Sequence, residues 1–271
     1  MASLGKCVSL CEKLRSNKVV RENMQWIFLA ITVTGSLLKE MQLLPDWYFN
    51  NTRNVLNVYF VKLAWGWTLG LLLPFISISN FYISKKDPMF VLQRLSSLLV
   101  GTVVWYTCTH LFVFIEDLTG ACYESKSMDV IKMDYSSMLE CKKSGLFWRG
   151  YDISGHSFLL AYSTLIILEE TALMSDLKNI SQRPPESVSA IVSVFYIALN
   201  MLAMTWIWMF FCTSVYFHDF THKICGTSFG ILAWYMTYQI WYQKPFSPGL
   251  PLTSQERKVM PNQRRYSQNS D

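Results

Sequence analysis

Charge is what this chain has least of. Of its 271 residues, 16% are Asp, Glu, Lys or Arg, against about 25% in ordinary soluble domains. That leaves too little polar surface to cover a water-exposed globule. With 51% hydrophobic residues and a mean hydropathy of +0.21, the composition points to a membrane protein. Other absences narrow the reading. The seven cysteines (7, 11, 108, 122, 141, 212, 225) form no pair of pairs, and Cys7 and Cys11 have no nearby Cys or His partners, so no metal or other cofactor is expected. The net charge of +5 is dispersed between apolar runs rather than gathered along one groove, so nucleic acid is not expected as a partner. No small-x-small cleavage site follows the first apolar run, so that run is read as a retained anchor.

What is abundant is apolar length. Six runs, about 24–44, 58–78, 95–115, 156–174, 188–211 and 224–241, approach or reach the roughly 20 residues a helix needs to cross a hydrocarbon layer of about 30 Å. The fourth is only marginally long enough. Lys and Arg predominate in residues 1–23, in the 81–94 connector and in the tail 243–271, the 175–187 connector with Lys178 and Arg183 is grouped with them, and the long 117–155 interval is mixed. The positive-inside tendency places the basic segments on the cytosolic side. The expectation is an all-α polytopic bundle of six transmembrane helices with both termini cytosolic. Residues 45–57, 117–157 and 212–223 then share the opposite side. The tail from Gln243 reads as an exposed, poorly ordered terminus.

Several local features carry expectations of their own. Lys62, one turn into the second run, reads as snorkelling to the interface or facing an anion. His110 reads as a functional intramembrane group or a hydrogen-bonded bundle histidine. Cys122 and Cys141 can close a disulfide if their side is oxidising. Gly226 and Gly230, four apart, permit a close helix crossing. Asn50-Asn51-Thr52 is a glycosylation sequon beside the second run. Glu169-Glu170 stand about 20 Å of helix rise from His156, too far to act with it, and suit packing or partner contacts.

The chemistry concentrates in Arg149–Met174. This stretch opens with Asp152, Ser154, Gly155, His156 and Ser157 before the apolar Phe158–Leu168. In the six-span topology His156 and His218 lie at one membrane rim although 62 residues separate them. Two such histidines can divide phosphoryl transfer, one attacking phosphorus and the other protonating the leaving oxygen. Asp152, four before His156, and Asp219, beside His218, are the carboxylates that can orient an imidazole. Ser154, Ser157 and the helix-start amides can receive phosphate oxygens. The same residues also suit plain structure, with Gly155 as a tight entry, Ser154 as a cap and the histidines as interfacial donors. Residue chemistry alone therefore leaves catalysis, lipid binding or scaffolding, and transport open.

Longer blocks carry a resemblance. Gly35–Glu40, Arg53–Lys62, Leu72–Ile76, Phe147-Trp148, Asp152–Phe158, Val215–His218 and Phe246–Pro251 resemble the fat storage-inducing transmembrane family over essentially the whole chain. The resemblance implies a six-helix protein of the endoplasmic reticulum membrane, related to the lipid phosphatase and phosphotransferase superfamily, with a lumenal active-site rim. The implied activity is cleavage of fatty acyl-CoA to acyl 4'-phosphopantetheine and adenosine 3',5'-bisphosphate. The alternative is a non-catalytic membrane protein that binds diacylglycerol and triacylglycerol and partitions them into lipid droplets. Ser154-Gly155-His156 matches the family's second motif and His218 the histidine of its third, which makes His218 the nucleophile and His156 the general acid. The chain departs from the superfamily in having no arginine in Cys212–Phe217, His222 where an aspartate is usual, and no clear first motif. Lys62 and Arg53 are the nearest same-side candidates to take the place of those cations.

Overall fold

A computed structural model describes residues 2–15, 18–42, 45, 47–84, 87–125, 131, 135, 137–179 and 184–251. The C-terminal residues 252–271, and residues 180–183 of the 175–187 connector that informed the orientation, lie outside the described residues. The chain begins with helices α1 (Ala2–Arg15) and α2 (Lys18–Glu40). A short turn at Tyr48–Asn50 and a wide turn over Leu56–Phe60 that tightens over Val61–Leu63 lead into α3 (Ala64–Ile83). Then come α4 (Pro88–Thr119), strand β1 (Ala121–Tyr123), α5 (Met138–Lys143), β2 (Phe147–Arg149), α6 (Gly155–Glu170), α7 (Met174–Asn179), α8 (Glu186–Tyr216) and α9 (Phe220–Trp234), which continues as a wider turn to Trp241.

Among the described residues, three helical stretches are long and apolar enough to cross a membrane: Leu56–Ile83, Pro88–Thr119 and Glu186–Tyr216. Their outer faces carry apolar side chains with no protein cover, among them Leu73, Leu99, Val103, Val113, Val194 and Met201. An apolar exterior on helices of this length belongs in lipid. The protein is accordingly a helical membrane protein.

α6 is the axis of the bundle. Every residue from Ser157 to Ile167 is buried, and α2, α3, α8 and α9 pack around it. A helix apolar on all sides has no preferred face and is stable only when enclosed. The crossing with α9 is close because two glycines allow it. A Cβ added at Gly226 would stand 2.3 Å from the Ser154 carbonyl oxygen, and one at Gly230 would stand 2.7 Å from that of Phe158. The glycine spacing expected to permit close packing does so here.

At the far end of α6 the charges are buried and paired. Arg94 donates to both carboxylate oxygens of Glu170, at 2.8 and 2.7 Å, and Tyr238 adds an O–H bond of 2.6 Å. Arg94 also donates to the carbonyls of Pro248 and Gly249, and Gln93 to that of Ser247 at 2.7 Å. Two sequence expectations need correction here. Arg94 is not part of a basic connector: Asp87 accepts from the Met89 amide, Pro88 opens α4, and the helix carries Arg94 into the core. The segment from Gln243 to Pro251 is not a loose tail, because these bonds dock it on α4. Glu170 fulfils the packing role read for it.

Residues 120–123 and 137–151 are fixed to the end of α4. β1 pairs antiparallel with β2, Cys122 and Cys141 form a disulfide, Asp117 caps α5 through the Met138 amide at 2.6 Å, and Trp148 donates to the Glu116 carbonyl. The Tyr151 amide then bonds Thr119 Oγ1 at 2.8 Å, which sets the path of the next residues.

Candidate active site

The rim is built from the ends of three helices. Residues 151–154 are extended rather than helical, and Ser154 is the N-cap of α6, its Oγ accepting from the Ser157 amide at 3.3 Å and lying 2.9 Å from Ser157 Oγ. The Ser154 amide donates to the His222 carbonyl at 3.1 Å, tying the start of α6 to the start of α9. Both serines are buried, so they hold the helix start together and stand behind the surface a ligand would meet. Gly155 has open space where a Cβ would be, so its role as a tight entry is not required by sterics. His156, the second residue of α6, is half-buried, and the charges of His218, Lys62 and Asp152 act on it.

His218 lies between α8 and α9. Its φ of 49° is in the left-handed region, which costs a non-glycine residue roughly 1–3 kcal/mol and persists only where surroundings impose it. Two contacts impose it. Lys39, in the last turn of α2, donates from Nζ to the His218 carbonyl, and Asp152 Oδ2 lies 3.3 Å from the ring Nδ1. With Nδ1 turned to that carboxylate, Nε2 is the free nitrogen. Burial pushes His218 below the ordinary histidine pKa; Asp152 opposes this, and His222, Lys39 and Lys223 reinforce it. The ring is therefore neutral near pH 7, as a nitrogen nucleophile needs.

The structure sorts the remaining sequence candidates. Asp152 meets His218 rather than sharing a helical face with His156, because the backbone is extended up to Ser154. Asp219 pairs with Lys39 at 3.5 Å and orients no imidazole. Lys62 is exposed on the Val61–Leu63 turn and acts on His156. Arg53 is exposed on the turn before α3, its amide bonded to Asn51 Oδ1, and is not among the charges acting on either histidine. His110 lies exposed on α4, its Nδ1 2.9 Å from the Tyr106 carbonyl, away from this rim. His222 stacks edge-on against Tyr151, centroids 4.6 Å apart. Among the described residues, no three His, Cys, Asp or Glu side chains converge as metal ligands.

Two lysines escaped the sequence reading. Lys39 is the cation beside the nucleophile, and Lys223, fully buried, donates to the Ser214 carbonyl at 2.7 Å and so caps the last turn of α8. Their signal was available. Both stand at ends of apolar runs, where the expected topology puts the side on which the positive-inside tendency disfavours lysine.

Neutral histidine, carboxylate partner and clustered lysines describe a site for an anionic, phosphorylated group. The family model for fat storage-inducing transmembrane protein matches residues 45–238, a span that holds both histidines, Asp152 and Lys62. The chain belongs to this family. It is 56% identical over 225 residues to the Danio rerio protein named acyl-coenzyme A diphosphatase FITM2, covering 83% of this chain and 86% of the relative. The Mus musculus protein of the same name is 47% identical over 251 residues, covering 93% and 94%. Fat storage-inducing transmembrane protein 1 of Homo sapiens is 35% identical over 222 residues, covering 82% and 74%. No solved structure matches the chain.

Proposed function

We propose that this family member is a fatty acyl-CoA diphosphatase, with His218 as nucleophile and His156 as general acid. The observation that carries the mechanism is the Asp152 carboxylate 3.3 Å from Nδ1 of a partly buried His218, which directs Nε2 to substrate. The relatives named acyl-coenzyme A diphosphatase supply the substrate class. Nε2 forms a bond to one phosphorus of the diphosphate. The bond from that phosphorus to the bridging oxygen breaks, and its electron pair stays on that oxygen. His156 delivers a proton there as the first product leaves. Water then attacks the phosphohistidine, gives its proton to the now neutral His156, and restores both histidines. The products are acyl 4'-phosphopantetheine and adenosine 3',5'-bisphosphate.

Topology belongs to the same proposal. The domain is a six-span bundle over 24–242, with both termini cytosolic and the 117–155 loop in the lumen of the endoplasmic reticulum. The Cys122–Cys141 disulfide supports an oxidising compartment for that loop. The acyl chain would lie between helices in lipid while the head group stays at the wet rim. Neutral-lipid binding is a second reading with its own support, an apolar cleft of about 450 Å³ lined by Ile78, Phe81, Tyr82, Val91, Val188 and Ile191. Diacylglycerol and triacylglycerol would be its ligands, and delivery to lipid droplets its outcome.

Purified protein in liposomes should release both products from long-chain acyl-CoA in a 1:1 ratio. Alkaline quench and mass spectrometry should find His218 carrying a substituted phosphoryl group, the adenosine 3'-phosphate 5'-phosphoryl or the acyl-pantetheine phosphoryl group according to which phosphorus is attacked. Turnover that persists in His218→Ala would remove the histidine mechanism. Neutral-lipid binding and droplet rescue with no turnover in the wild type would favour the second reading. Protection of Cys122 and Cys141 from a membrane-impermeant thiol reagent after reduction, until the membrane is opened, tests the lumenal placement.

A further inference from the structure

A diphosphate brings about two negative charges to the rim, and its displacement shifts charge onto phosphoryl and bridging oxygens that a pair of imidazoles alone stabilises poorly. The charges acting on the two histidines include three lysines, each on a different element: Lys39, Lys62 and Lys223. Their surroundings separate them. Lys223 is enclosed and holds the end of α8 through Ser214. Lys62 is exposed on the side of His156. Lys39 is a third exposed, 32% by side chain, and stands beside His218.

The contacts of Lys39 show how it can serve a ligand. An ammonium has three donors. One is committed to the carbonyl of His218, so the cation is tied to the backbone of the nucleophile itself. Another faces Asp219 at 3.5 Å, and that carboxylate is 62% exposed. An ion pair this open contributes little and exchanges easily. Asp219 caps no amide of α9 with its side chain; its ion pair is with Lys39, and its charge also acts on the buried Lys223.

We propose that Lys39 is a substrate-binding residue. It turns from Asp219 to the oxygens of the phosphoryl group attacked by His218, while its bond to the His218 carbonyl keeps cation and nucleophile in register. Lys62 takes the departing phosphate beside His156. Asp219 is the resident counter-ion that holds Lys39 at the rim between turnovers. This rests on the acyl-CoA diphosphatase reading and adds to it a cation for each of the two phosphates.

The test uses the full chain in liposomes and two separate measurements: acyl-CoA turnover, and direct binding of methylenediphosphonate, a non-hydrolysable diphosphate. Loss of one charge-assisted contact is expected to weaken diphosphonate binding about ten- to a hundred-fold in Lys39→Gln. Lys39→Arg should recover most of it, and kcat/KM for acyl-CoA should follow the same order. Asp219→Asn, which frees the cation, should tighten diphosphonate binding several-fold and provides a readout even if Lys39→Gln fails to fold. Diphosphonate affinity unchanged in a folded Lys39→Gln, or unchanged or weakened in Asp219→Asn, overturns the assignment. A wild type that binds the diphosphonate through Lys39 yet hydrolyses no acyl-CoA defeats the substrate reading and leaves the anion site standing.

Discussion

The two ends of α6 carry similar residue types and do opposite things with them. At the Glu170 end, the carboxylate has Arg94 on both oxygens and Tyr238 on one, and the Arg94 and Glu170 side chains are 2% and 0% exposed. At the His156 end, the rim charges are exposed by up to 62% and His218 Nε2 has no assigned hydrogen bond in the described site. A buried carboxylate met on both oxygens from inside has nothing to offer a ligand. A charge cluster with spare capacity, held by strain and facing water, is organised for chemistry. Burial and saturation together, rather than the presence of charge, distinguish the two.

That comparison can be broken by mutation. The largest effect falls on His218→Ala, expected to lower turnover at least about a thousand-fold with little change in melting temperature, because the nucleophile is removed and no core contact with it. His156→Ala should lower it by about 10²–10⁴, and less for an acyl-CoA analogue with a more acidic leaving group. At the opposite end Glu170→Ala strands a buried guanidinium and should cost about 3–5 kcal/mol of stability. Chain that still folds should retain its kcat. A folded Glu170→Ala protein without activity would erase the distinction between the two ends.

Smaller changes sharpen it. Gly226→Ala puts a methyl group against the Ser154 carbonyl and should cost about 1–3 kcal/mol, while separating the α6 and α9 starts that carry the two histidines. Turnover should therefore fall more than stability does, measured by kinetics and thermal unfolding on one preparation. The mildest prediction is a pH shift. His218 must be unprotonated to attack, so activity falls as pH drops through its pKa. Asp152 raises that pKa against the effect of burial. Asp152→Asn should therefore move the acid limb of kcat/KM to lower pH while the plateau falls. A shift to higher pH would contradict the Asp152–His218 contact.

Apolar run length made the long helices legible, and the two histidines were legible from their motif and shared rim. Pairings across the bundle were not. Asp152 sits four residues before His156, a spacing that reads as a helical contact, but the Ser154 cap keeps the intervening backbone extended and sends the carboxylate to His218. Arg94 looked like a topology signal because lysines precede it in sequence; its partner, Glu170, is 76 residues away. Lys39 was hidden for the related reason that its contact with His218 spans 179 residues. Sequence spacing informs about neighbours on one helix and is silent on which helix ends meet. The disulfide was the exception, since oxidation constrains two cysteines to find each other whatever lies between.

The docked Phe246–Pro251 segment has a consequence for how the protein is made. Arg94 enters the bundle early in synthesis, but the carbonyls of Pro248 and Gly249 that complete its bonding are 154 and 155 residues further on. Until those residues leave the ribosome, a guanidinium and a carboxylate stand in a half-built apolar interior with part of their coordination missing. The last stretch of the described chain thus adds its bonds to Arg94 after every other partner has been made. A chain stopped before Ser247 would expose this defect to the membrane's quality control although every helix had already been made.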